Sequence, residues 1–146
     1  MSIRVEYRIG VSATPERVWG VLSNLERWSD WNPMYPQASG KIVMGGTLDL
    51  LEHLAGQPDR RIEARVLDWT PEAQLVLRIA EGAFARRMQY FEIDPLAGKN
   101  ASGCIFAAGV YFQGWNEKGV ARKLGRSLKI GYGLMAEALK AKVEAE

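Results

Sequence analysis

Glu52 lies in the run Thr47-Leu48-Asp49-Leu50-Leu51-Glu52-His53, so on an extended chain its carboxylate shares a face with Leu48 and Leu50. A carboxylate carried into an apolar interior favours its protonated form and becomes a candidate general acid or base. The alternative reading places Glu52 at the strand end, in water or paired with an arginine. Tyr132 and Tyr35 are the other catalytic candidates. Either could donate a hydrogen bond into a pocket, or hold its hydroxyl in water at a rim. The one histidine, His53, falls on the face opposite Glu52, and the one cysteine, Cys104, belongs to a different strand, so no thiol–imidazole nucleophile assembles. One histidine and one cysteine are also too few for a usual zinc site. There is no Walker loop or dinucleotide fingerprint, and Gly45-Gly46 lacks the spacing that cradles phosphate. These residues call for no metal and no cofactor.

With 146 residues, the expected organisation is one domain over 1–146. Nineteen Lys and Arg against seventeen Asp and Glu leave a charge of +2, too near balance for a nucleic-acid footprint. No apolar run reaches the ~20 residues that span a bilayer, so stable membrane insertion is not expected. The opening Met1-Ser2-Ile3-Arg4-Val5-Glu6-Tyr7 alternates and is no signal peptide, which makes the expected location cytoplasmic and Asn100-Ala101-Ser102 an idle glycosylation motif.

Ile3, Val5, Tyr7, Ile9 and Val11 alternate with polar residues and predict a half-buried first strand. Thr14-Pro15-Glu16 opens a short helix, and Ser23 with Glu26 reads as the cap of a second, closed by Asn32-Pro33. Six more strands are expected: Lys41–Met44 and Thr47–His53 joined at Gly45-Gly46, then Arg61–Val66, Leu75–Ile79, Met88–Ile93 and Cys104–Phe112. From about Asn116, Ala121, Leu124, Leu128, Tyr132, Met135, Leu139 and Val143 mark a long amphipathic helix. Its basic residues, Arg122, Lys123, Arg126, Lys129, Lys140 and Lys142, read as a solvated face. Gly125, Gly131 and Gly133 point to a bend or a close approach. The order predicts an α+β fold with an antiparallel sheet.

Seven strands at ~4.8 Å spacing make a sheet ~30 Å wide, whereas a helix with its side chains is ~10–12 Å across. One helix cannot cover that face. The sheet must curl, the short helices must plug part of the gap, and whatever side chains fail to fill is an internal cavity.

Ala13-Thr14-Pro15-Glu16-Arg17-Val18-Trp19 and Trp28-Ser29-Asp30-Trp31-Asn32-Pro33 resemble the START-like superfamily, also called SRPBCC and known for the birch-pollen allergen fold. The nearest branch is the polyketide cyclase/dehydrase-like one. Phe112-Gln113-Gly114 resembles the aromatic-x-glycine ending of its last strand, and Ala138-Leu139-Lys140 with Glu144 its helix ending. The resemblance implies a helix-grip fold: a curved seven-stranded antiparallel sheet around a long C-terminal helix, over an apolar pocket. Aligned to that pattern, Phe91 and Ile93 rather than Met88 and Tyr90 face inward.

The expected cavity lining is Trp28, Trp31, Tyr35, Leu50, Glu52, Ile62, Leu77, Phe91, Phe106, Ala108, Leu128, Tyr132 and Met135. Three functions compete. The first is binding of a small hydrophobic molecule: a lipid, polyketide or aromatic metabolite. The second is a cyclase or dehydrase acting in the same cavity through Glu52, Tyr132 or Tyr35. The third is a chaperone-activator-like interaction protein working through its surface, whose partner the sequence does not name.

Overall fold

A computed structural model describes residues 3–97 and 102–145; Gly98, Asn100 and Ala101 of the expected loop and glycosylation motif lie outside the described residues. The chain runs β1 (Arg4–Val11), α1 (Pro15–Leu22), a 3₁₀ turn (Leu25–Asp30), β2 (Gln37–Gly40), β3 (Thr47–Glu52), β4 (Arg60–Thr70), β5 (Gln74–Ala80), β6 (Ala85–Pro95), β7 (Cys104–Gly114) and α2 (Glu117–Glu144). The strands form one antiparallel sheet in the order β1-β7-β6-β5-β4-β3-β2, so first and last strands are neighbours. α2 crosses the inner face of β1, β7 and β6 and touches α1. This is the helix-grip architecture.

The first helix starts as expected: the Arg17 N–H donates to Thr14 Oγ1 at 3.3 Å, with Pro15 at the first position. Ser23 does not cap the second. It closes α1 in a helical conformation, its hydroxyl donating to the Trp19 carbonyl at 2.7 Å, and a residue so occupied cannot open the next turn. The second strand also differs from expectation. It lies at Gln37–Gly40 rather than Lys41–Met44, and ends where Gly40 takes φ 120°. Residues 41–46 form a longer loop that bonds back to β4 through Gly45 N–H to Val66 O and Val66 N–H to Gly46 O, leaving Met44 64% exposed.

β4 runs past the expected Val66 because a bulge between Val66 and Asp68 preserves its pairing with β5. The extra residue returns Trp69 to the inner face, opposite Leu75, where it stacks on Trp19 at 6.3 Å. At the end of β7, Gly114 has φ 109°, and a Cβ there would lie 2.3 Å from the Phe84 carbonyl oxygen. Only glycine turns the chain into α2 at that point.

The face that α2 leaves open is closed by the segment after α1. Asn32 Oδ1 accepts the Met34 and Tyr35 N–H groups at 3.0 and 3.1 Å, turning both side chains inward to full burial. A Cβ on Gly131 would stand 3.1 Å from Leu54 Cδ2 and 3.2 Å from Met34 Cε, so this glycine lets the plug sit against the helix. Gly133 meets the Tyr7 ring at ordinary contact distance, and Gly125 meets only Val5 at 3.9 Å. The middle of the grip is thus packed, with Trp28 beside Tyr35 at 5.9 Å and Phe91 stacked on Phe106 at 6.2 Å.

Candidate functional site

Among the described residues, four polar or charged ones are buried as whole residues: Asn32, Glu52, Arg87 and Gln89. Three of them meet. Glu52 ends β3 on its buried parity, while Arg87 and Gln89 share the inner face of β6 with Phe91 and Ile93. Arg87 Nη2 donates to Glu52 Oε2 at 2.8 Å, and Arg87 Nε stands 3.0 Å from Glu81 Oε2. Arg60 bridges the same carboxylates from the outside: Nη2 donates to Glu81 and lies 3.5 Å from Glu52 Oε1. Two carboxylates and two guanidiniums therefore balance.

Behind them are the phenols. Tyr35 Oη lies 3.0 Å from both Glu52 Oε2 and Gln89 Oε1, and Tyr132 Oη donates to Gln89 Oε1 at 2.7 Å. Tyr35 has one hydroxyl hydrogen and donates it to Glu52 Oε2 or to Gln89 Oε1, so its hydroxyl stands between the carboxylate and the amide that also accepts from Tyr132. Burial, and then the Glu52 carboxylate, holds the Tyr35 hydroxyl well above the ordinary phenol range. Burial also raises Tyr132, against the opposing pull of Arg87. Both remain protonated at neutral pH, so they are hydrogen-bond donors and not bases. Arg87 is raised as well: burial would lower it, but Glu52, with smaller help from the phenols and Glu81, more than compensates.

Tyr90, on the outer face, is raised by burial and by its bond to Glu6. A phenol whose folded pKa is raised contributes stability that is complete below its unfolded value near ~10 and is lost as pH climbs toward the folded value. Tyr7 is raised too, by desolvation and by Glu137, so ultraviolet titration should show Tyr7, Tyr35, Tyr90 and Tyr132, of five tyrosines, ionising later in the native protein than in denaturant. Stability should fall progressively above that pH.

Outside the ionic cluster lies a cavity of about 550 Å³, lined by Glu52, Leu54, Gln57, Pro58, Arg60, Glu81, Gly82, Asn116, Gly119, Val120, Lys123 and Leu124. It opens between the β3–β4 loop, the β5–β6 turn and the first turns of α2. Beside it, Phe84 of the β5–β6 turn stacks at 5.8 Å on Trp115, just before α2, the two 63% and 92% exposed.

Of the residues expected to line an internal cavity, this one touches Glu52 alone. Both readings of Glu52 meet here, since it faces inward and is paired with arginines. Tyr35 and Tyr132 lie one hydrogen bond deeper. Leu50, Leu77, Phe91, Phe106, Ala108, Leu128 and Met135 are fully buried in the apolar core, and Ile62 is half-buried on β4. Trp28 is buried, its indole N–H donating to the Leu22 carbonyl at 3.0 Å; Trp31 packs edge-on against it at 6.1 Å. On α2 the cavity wall includes Val120, whereas Ala121 is off it and half-buried. His53 is exposed, 2.6 Å from Asp59 Oδ1. Cys104 is buried, its thiol pushed up by desolvation and donating to the Ala13 carbonyl.

Sequence reasoning missed Arg87, Gln89, Glu81 and Arg60. The expected β6 started at Met88 and so excluded Arg87, yet Arg87, Gln89, Phe91 and Ile93 share one parity, and a cation on a buried parity signals a partner carboxylate.

A family model described as polyketide cyclase / dehydrase and lipid transport matches residues 2–144. Comparison with curated protein sequences gives no match. The fold is similar to that of the Zhui aromatase/cyclase from Streptomyces sp. R1128, at TM-score 0.78 and 16% identity over 99% of this chain and 94% of that one. It is also similar to a START superfamily protein from Mycobacterium smegmatis, at TM-score 0.70 and 20% identity over 97% of each chain. Norcoclaurine synthase from Thalictrum flavum, in complex with dopamine and hydroxybenzaldehyde, gives TM-score 0.74 and 14% identity over 100% and 88%.

Proposed function

The chain belongs to the polyketide cyclase / dehydrase and lipid transport family, and from that premise we propose that it binds a small, mostly apolar organic molecule in the cavity beside Glu52. The class is that of a lipid, a polyketide or an aromatic metabolite. The supporting observation is the cavity: about 550 Å³, within the range of small-molecule sites, with Leu54, Pro58, Val120 and Leu124 as apolar wall and an ionic floor. The apolar wall takes most of the ligand; the floor fixes its orientation. Among the described residues no helix is long and apolar enough to cross a membrane.

A second reading is a cyclase or dehydrase using the same cavity. The observation favouring it is that Glu52 both faces the cavity and bonds to the Tyr35–Gln89–Tyr132 chain. Most of the rate gain would come from holding a flexible substrate folded, with Glu52 the group positioned to exchange a proton.

Native mass spectrometry and thermal shift with a fatty acid, a naphthol and an anthraquinone test the binding. At a hundredfold excess over Kd, one of them should stabilise the fold by about 2.7 kcal/mol. No stabilisation and no bound mass with any probe contradicts the reading. For the second reading, unchanged turnover in Glu52→Gln removes Glu52 from the chemistry.

A further inference from the structure

We infer that the head group this cavity takes is a positively charged nitrogen, an amine or amidinium, which replaces the Arg60 guanidinium between Glu52 and Glu81. The inference rests on the reading of the cavity as a ligand site and names the chemistry of its ligand.

The two carboxylates both line the cavity, with side chains only 1% and 6% exposed. Their two arginines are not equivalent. Arg87 is fully buried beneath them, fixed between strands, and belongs to the floor. Arg60 follows the Gly56–Asp59 turn, lies on the cavity side, and keeps a 41% exposed side chain, so it can withdraw into water once a ligand cation takes over its bond to Glu81. Glu52 Oε1 is buried yet accepts no hydrogen bond among the described residues; Arg60 at 3.5 Å is near but not bonded. Arg60 thus fills the position without completing it.

The charges decide which ligand completes it. With Arg60 withdrawn, Glu52, Glu81 and Arg87 sum to one negative charge, which a monocation cancels. An anion would keep Arg60 in place and face two carboxylates that Arg60 and Arg87 already engage, with Lys123 as the further cation among the described lining residues. A neutral apolar head would leave Arg60 in place and Glu52 Oε1 as unpaired as it is without a ligand, so it gains nothing from the ionic floor. An ammonium or amidinium brings N–H donors for both carboxylates, while its hydrocarbon part lies against Leu54, Val120 and Leu124.

The test uses isosteres that differ in head-group charge: phenethylamine, phenethyl alcohol and phenylacetate, titrated by NMR into the intact protein. The amine should bind at least about tenfold tighter than the alcohol, with phenylacetate weakest; tenfold corresponds to about 1.4 kcal/mol. Glu81→Gln should remove most of that preference. Arg60→Ala should raise amine affinity, and methylguanidinium should raise the Tm of that variant above its effect on the wild type. Alcohol or phenylacetate binding as tightly as the amine overturns the cation assignment and leaves the cavity reading standing. Binding of none of the three, with no methylguanidinium effect on Arg60→Ala, overturns both.

Discussion

Arg87→Met should cost about 3–5 kcal/mol of stability, the size expected when one partner of a buried ion pair is removed. Arg87 is fully buried, and its loss leaves Glu52, 1% exposed, without its 2.8 Å hydrogen-bonded counter-ion and Glu81 with Arg60 alone. The loss is not the worth of the pair itself. It is the penalty of an uncompensated charge held in the core, so Arg87→Met with Glu52→Leu should be less destabilised than the sum of the two single changes. Urea unfolding of the four proteins measures this directly. A single-variant cost below about 1 kcal/mol would mean that water already reaches the cluster.

Gly119→Phe should weaken ligand binding strongly while leaving the fold at least as stable. Gly119 lies in the first turns of α2 and on the cavity wall, and a Cβ there meets only the Asn116 side chain, at 2.3 Å. That side chain belongs to an exposed residue and can turn away. Replacing a helical glycine gains a few tenths of a kcal/mol in propensity, and the new ring projects into the space a ligand would fill. Affinity for any ligand of the cavity should fall at least about tenfold, with Tm unchanged or raised. Unaltered affinity would place the ligand elsewhere.

The architecture was legible because it rests on periodicities: Cys104 to Phe112 in β7 and Leu124 to Val143 in α2 bury the faces the patterns assign, and Val5 to Val11 in β1 form the half-buried strand expected. The departures have local causes. Gly40 ended β2 before the apolar Ile42-Val43-Met44 could join it, and the β4 bulge moved Trp69 to a face that strict alternation denies it. The candidate site was legible in one residue, Glu52. The width argument demanded that the short helices plug part of the gap and expected the unfilled remainder as a cavity between sheet and helix, but the middle of the grip is packed. Met34, Tyr35 and Leu54 fill the middle through an asparagine turn and a glycine on α2, which leaves the described cavity at the open end. Its floor joins Glu52, Arg60, Glu81 and Arg87 from three strands and a turn, and such a long-range charge balance leaves no short motif in the chain.

Solving the protein with a bound ligand locates the site most directly. Electron density should lie between Leu54 and Leu124, over the Glu52 carboxylate, with Tyr35 and Tyr132 still bonded to Gln89 behind it. Density among Trp28, Phe91 and Phe106, with the space beside Glu52 holding water alone, would contradict the account.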